Sequence, residues 1–241
     1  MKPFSLNSES IARPQVIEID EHKKHRIILI DDFFSDPDQV REAALDPNRS
    51  WITPTSAYPG LLSAPDSGQI GELAAFFQKL LNRQLRQSDM VMFSMVTKME
   101  DELSPPQRRP HFDGSCFGGL VYLNPPEQCR GGTGFFRHRA TGLARYPDKI
   151  SDVPTGLIGA PGLKSLEELQ SLLMSPSQAD APGYIAESNS EWERFCFVEM
   201  KFNRFIIYDG QIFHSAVIHN EDFGSRPGER RLTLNFFADR D

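Results

Sequence analysis

The side chains best suited to chemistry begin at His111-Phe112-Asp113, an H-x-D that opens the stretch from Pro110 to Phe136. In extended backbone, residues i and i+2 point to the same face, so one short strand end can aim an imidazole and a carboxylate at one point. Such a pair suits a first-row divalent metal, but two ligands do not make a site. The third candidate is His214, which follows Tyr208-Asp209-Gly210 at the start of a strand. Two histidines and one carboxylate on one side of a metal leave three positions open. That arrangement can hold a bidentate small molecule and still keep a place for O₂, which a closed four-ligand cage cannot.

These ligands need strands to hold them, and the pattern supplies them. Arg26 to Ile30, Met90 to Met99, Leu120 to Leu123, Gly131 to Phe136, Arg194 to Lys201, Phe205 to Tyr208, Ile212 to Val217 and Arg231 to Phe237 read as strands separated by turn residues. Two helices flank them early in the chain. One starts at Ser35-Asp36-Pro37-Asp38, with a capping side chain, a proline in the first turn and early carboxylates. The other covers residues 67 to 87, where Ile70, Leu73, Ala74, Phe77, Leu80, Leu81 and Leu85 form one stripe. Residues 1 to 14 read as a loose arm and residues 47 to 68 as irregular surface. Short strands at this spacing indicate an antiparallel barrel or jelly roll with flanking helices. The organisation expected is one domain over 1–241. Residues 1–89 would hold the N-terminal strand and supporting helices, 90–137 and 192–238 the β core, and 138–191 a variable insertion or lid. Within that insertion, Ser165 and Glu168 form a capping-box signal for a short helix.

Composition excludes several classes. With 39% hydrophobic and 24% charged residues the chain is globular, and a formal net charge of −7 disfavours general nucleic-acid binding. No run approaches a membrane span. The opening MKPFSLNSES lacks an apolar signal region, and Cys116, Cys129 and Cys196 form no C-x-x-C pair. A reduced, cytoplasmic protein that binds neither nucleic acid nor membrane is the expectation, with its oligomeric state unreadable. Cys116 reads as a packing residue, and His138 and His219 lack spaced partners, although His219 is near enough to line a site.

In motif order the chain resembles the Fe(II)- and 2-oxoglutarate-dependent dioxygenases, within them the prolyl-4-hydroxylase-like branch, whose core is a double-stranded β-helix of jelly-roll, cupin-like form. The resemblance rests on His111-Phe112-Asp113, on Tyr122-Leu123-Asn124 followed by Gly131-Gly132-Thr133, on the run from Phe205 to His214 and on Arg231-Leu232-Thr233. The opening ILIDDFFSDPDQVREAAL is similar as well. The likeness covers residues 90 to 137 and 192 to 238 and matches nothing in the insertion. It implies iron held by His111, Asp113 and His214, which would also be the catalytic residues. It further implies 2-oxoglutarate gripped at its far carboxylate by Arg231 with Thr233, and Tyr122 reaching the same carboxylate. The activity implied is a hydroxylase reaction in which O₂ and 2-oxoglutarate yield succinate, CO₂ and a hydroxylated substrate.

The gap of 17 residues between His214 and Arg231 is longer than that family's usual one and leaves Arg230 and Arg226 as rivals. Alternation favours Arg231, since it shares a face with Thr233 and Asn235, and a one-residue slip would reverse the choice. Two other classes compete with an oxygenase: a β-helix acting as a binding or regulatory module, and a cupin-like metal enzyme with no use for 2-oxoglutarate. Arg108, Arg109, Arg130, Arg137, Arg139, Arg145 and Lys149 outnumber the nearby acids. They suggest either a surface attractive to an anionic small-molecule or peptide substrate, or a solvated loop face.

Overall fold

A computed structural model describes residues 4–19, 25–54, 58–153, 163–174, 183–222, 224 and 226–239. Ten strands are formed: β1 (Gln15–Glu18), β2 (Arg26–Ile30), β3 (Gly60–Ser63), β4 (Met90–Val96), β5 (Phe117–Tyr122), β6 (Gly132–His138), β7 (Trp192–Glu199), β8 (Phe205–Asp209), β9 (His214–Val217) and β10 (Leu232–Ala238). Five helices accompany them: α1 (Ser8–Ile11), α2 (Pro37–Ala44), α3 (Gly71–Leu81), α4 (Pro105–Arg108) and α5 (Leu166–Met174). Among the described residues no helix is long and apolar enough to cross a membrane.

The strands make two antiparallel sheets, a seven-stranded one in the order β1-β2-β8-β5-β10-β4-β3 and a three-stranded one in the order β7-β6-β9. From β4 onward the chain passes back and forth between them. A bridge between His111 and His214 adds a short fourth rung beside β9, so the H-x-D belongs to the small sheet although it forms no regular strand. Alternation along each large-sheet strand then sorts side chains into two layers. Val121, Phe205, Ile207, Leu232, Leu234 and Phe236 face outward, onto Val40 and Ala44 of α2 and Leu73 and Phe77 of α3. Phe77 stacks on Phe236 with ring centroids 3.5 Å apart. Leu120, Tyr122, Ile206 and Tyr208 face inward and meet Phe135 and Val198 of the small sheet. The site is built on this inner layer.

The expected helix starts and stops have physical causes. Asp36 caps α2, its carboxylate accepting from the Gln39 amide at 3.2 Å. The longer apolar stripe yields an α3 of only Gly71–Leu81, because Asn82 adopts a left-handed conformation (φ 54°) and closes the last turn. Leu80, on the expected stripe, is exposed at the end of the helix. Two expectations need correction. The arm before residue 15 is pinned rather than loose: Phe4 is buried in the outer core, its amide donating to the Gln69 carbonyl at 2.7 Å, and β1 follows as an edge strand. The segment 47–68 contains β3, which pairs with β4 from Gly60↔Val96 to Ser63↔Phe93.

The segment read as an insertion, 138–191, includes 154–162 and 175–182, which lie outside the described residues. Its described parts cover the outer face of the small sheet. Leu169 and Leu173 of α5 and Val153 pack with Phe136, Trp192 and Phe213. The capping signal is used there: the Glu168 amide donates to Ser165 Oγ at 3.2 Å, and its carboxylate accepts from the Lys164 amide at 2.7 Å.

Candidate metal centre

The H-x-D is held from two directions. His111 and His214 exchange backbone hydrogen bonds of 2.9 and 2.8 Å, and the Asp113 amide donates to the Gly210 carbonyl at 2.7 Å. Phe112, pointing the other way, stacks on Tyr146 at 4.0 Å and meets Phe213 at 6.2 Å. That apolar anchor turns His111 and Asp113 to the common side. A side chain at Gly210 would collide with the Ser115 carbonyl, so the turn before His214 needs its glycine to come this close to Asp113.

One ligand atom from each of His111, Asp113 and His214 lies within 4.8 Å of the others, which makes them the one such cluster among the described residues. The two imidazole centroids are 4.5 Å apart, and His214 Nε2 lies 3.6 Å from Asp113 Oδ1. His214 Nδ1 donates to the Ile212 carbonyl at 2.8 Å, which fixes the tautomer and leaves Nε2 free to bind a metal. Burial pushes the pKa of His214 down to about 4 and that of Asp113 up to about 6. His111 packs against His214 and is exposed to solvent on its other side. Its pKa is lowered as well, by burial first and then by the neighbouring His214. Near neutral pH the three are therefore two neutral imidazoles and a carboxylate, the protonation states that a divalent metal requires. Asp113 Oδ2 is buried and accepts no hydrogen bond from the described residues. A buried carboxylate oxygen left in that state is costly, and a cation would satisfy it.

The remaining expected residues gather on the same interior. Asn124, whose role the motif alone did not reveal, brackets Arg231: its amide group donates to the Arg230 carbonyl at 2.8 Å and accepts from the Leu232 amide at 2.8 Å. Arg231 is 6% exposed. Its guanidinium lies 5.1 Å from the centroid of Tyr122 and donates to the Gly132 carbonyl at 3.0 Å and to Thr133 Oγ1 at 3.5 Å. The Tyr122 hydroxyl shares a 2.7 Å hydrogen bond with Thr133. No acidic side chain among the described residues pairs with Arg231. The rivals lie elsewhere: Arg226 is exposed and paired with Glu229, and Arg230 donates to the Met99 thioether at 3.1 Å. Thr233 lies opposite Tyr122 in register, but its hydroxyl donates to Asn235 Oδ1 at 2.6 Å rather than pointing a free proton at the pocket. Tyr208 packs edge-on against His214 at 4.8 Å. It lies within electrostatic reach of both Asp113 and Arg231, so the ligand cluster and the guanidinium share one interior.

Several of the basic residues near the H-x-D have acidic partners. Arg109 pairs with Glu191 at 3.2 Å, Arg137 with Glu193 at 3.5 Å, and Arg145 with Asp209 at 3.0 Å and Asp148 at 3.2 Å. His138 is buried against Thr141 and Trp192, and His219 pairs with Glu100 at 3.4 Å; neither joins the cluster. The three cysteines are unpaired.

Fold and cluster together define a mainly-β protein with a candidate divalent-metal site in its interior. The chain belongs to DUF6445, a family of unknown function, which it matches over residues 11–238. No curated protein is significantly similar to it.

Proposed function

We propose that this protein is an Fe(II)- and 2-oxoglutarate-dependent oxygenase of the double-stranded β-helix type. The observation that carries the reading is the pairing, in one interior, of a two-histidine, one-carboxylate cluster with a buried arginine that has no acidic partner among the described residues. The first suits a metal with open positions, and the second suits a dicarboxylate whose far end needs a counter-charge. The exchange of strands between the two sheets, with the H-x-D as a short rung of the smaller one, supports the β-helix part of the reading. Iron and 2-oxoglutarate, when bound, supply oxidative decarboxylation to succinate and CO₂ coupled to hydroxylation of a C–H bond.

The chain's own residues have distinct tasks. His111, Asp113 and His214 hold the metal. Arg231, bracketed by Asn124 and backed by Tyr122 and Thr133, binds and orients the far carboxylate. Aromatic and aliphatic walls from Phe135, Tyr208 and Ile206 keep bulk water from that end of the pocket, and the open side of His111 is where a substrate approaches.

An anaerobic titration of Fe(II)-loaded protein with 2-oxoglutarate tests this directly, read by the visible charge-transfer band of the chelate. The expected result is a band in the wild type, none in His111→Ala, and a requirement for far more co-substrate in Arg231→Ala. A wild type that takes up no metal and gives no band would refute the proposal and leave a β-sheet binding protein.

A further inference from the structure

The insertion reaches the neighbourhood of Arg231 from outside the β core. After Gly183 (φ 101°), packed so tightly on Glu100 that a side chain would meet it at 2.9 Å, the chain places Tyr184 inward. The Ile185 amide then donates to the Arg108 carbonyl at 2.9 Å and ties the stretch to the loop that leads into the H-x-D. The Tyr184 hydroxyl is buried and has no hydrogen-bond partner among the described residues. Its electrostatic neighbours are Tyr58, Arg231 and Glu100, and Tyr58 is itself within reach of Arg231. Glu100 is engaged with His219. Burial raises the pKa of the Tyr184 phenol, so it keeps its proton. Among the described residues, a buried donor without a hydrogen-bond partner and a buried cation without an acidic one thus occupy one neighbourhood.

We infer that Tyr184 is a co-substrate-binding residue, its hydroxyl donating to the far carboxylate of 2-oxoglutarate beside Arg231, so that the insertion completes the co-substrate pocket. This rests on the oxygenase reading above. It assigns the insertion a task that the β core cannot perform alone, and it makes the length of diacid accepted depend on a segment outside the core.

The test compares two 2-oxo acids of five carbons on the full chain loaded with Mn(II), by calorimetric titration without O₂ turnover. 2-Oxoglutarate carries the far carboxylate, and 2-oxopentanoate has a methyl group in its place. Tyr184→Phe removes one oxygen. It should weaken 2-oxoglutarate on the order of 10- to 100-fold, the usual scale for a hydrogen bond to a charged group. The same variant should leave 2-oxopentanoate affinity unchanged and should not lower the ligand-free melting temperature, because among the described residues the hydroxyl has no hydrogen-bond partner to lose. Wild-type affinity for 2-oxoglutarate in Tyr184→Phe, or equal losses for the two acids, overturns the assignment while the oxygenase reading stands. A wild type that binds no 2-oxoglutarate overturns both.

Discussion

Substituting Gly118 by alanine tests the candidate metal centre through volume alone. Gly118 lies on β5 opposite Tyr208, and a methyl group there would fall on Asp113 Oδ2, well inside van der Waals contact, and 3.1 Å from Tyr208 Cε2. To restore an ordinary contact the carboxylate must retreat by about 1 Å. Asp113 can do so cheaply, since it turns about two torsions and Oδ2 gives up no hydrogen bond. The loss of stability should therefore stay within about 1–3 kcal/mol, the range for modest overpacking. The metal is less forgiving. Ligand distances tolerate about 0.2 Å, so a shift of this size takes the oxygen out of coordination. Disturbing the groups that hold a ligand in place typically costs about 10- to 100-fold in metal affinity, and displacing the ligand itself should cost at least that. Calorimetric titration with Mn(II), run beside urea denaturation, reads both quantities. Gly119→Ala is the control, because that methyl would face the Ile206 carbonyl and Ile207 instead. Wild-type metal affinity in Gly118→Ala, or a loss no larger than in Gly119→Ala, would refute the placement of Asp113 as a ligand.

Two further expectations concern charge. Arg231→Met removes a buried cation whose hydrogen-bond partners among the described residues are neutral, so the ligand-free protein should be as stable as the wild type or more stable by about 1 kcal/mol, while affinity for 2-oxoglutarate collapses; a loss of several kcal/mol in urea denaturation would mean the guanidinium is structural instead. Asp31, hydrogen-bonded by Arg204 at 2.6 and 3.0 Å and by Lys201 at 2.9 Å, is held below the usual carboxylate range chiefly by Arg204. Its stabilising contribution is complete above the unfolded-state value of about 3.9 and disappears as pH falls through that value toward the folded one. Because the pair is partly exposed, Asp31→Asn should flatten the acid limb of stability against pH by only about 0.5–1 kcal/mol, and an unchanged limb would show that the pair contributes nothing.

How far the sequence could be read depended on whether a feature was local. The gathering of His111, Asp113 and His214 was legible because the H-x-D alternates and His214 follows a turn at the start of β9, patterns that declare a side chain's direction. Asp36 and Ser165 were legible as helix starts because a capping residue acts on amides two or three positions away. β3 was not, since Gly60–Ser63 sits among prolines and serines and is a strand only because β4 offers it an edge. Phe4 gave no signal either: one aromatic residue has no period, and its burial depends on the distant Phe34 and Phe93. The acidic partners of Arg109, Arg137 and Arg145 were hidden for the same reason, because Glu191, Glu193 and Asp209 lie far along the chain from them. Tyr184 could not be anticipated, because the residues on either side of it show neither period nor motif.

The place of β10 in the large sheet has a consequence for how the chain is made. It is the last of the ten strands to be synthesised, yet it lies between β4 and β5, with six register pairs on each side. Until it arrives, the sheet exists as two fragments, β3-β4 on one side and β1-β2-β8-β5 on the other, each with an open edge of unpaired amides and carbonyls. Between the synthesis of β5 and that of β10 the chain therefore carries two adhesive borders, and its longest-range pairings close last. The strand that ends this exposure is also the one that Arg231 immediately precedes. Completion of the sheet and arrival of the buried guanidinium are thus a single event.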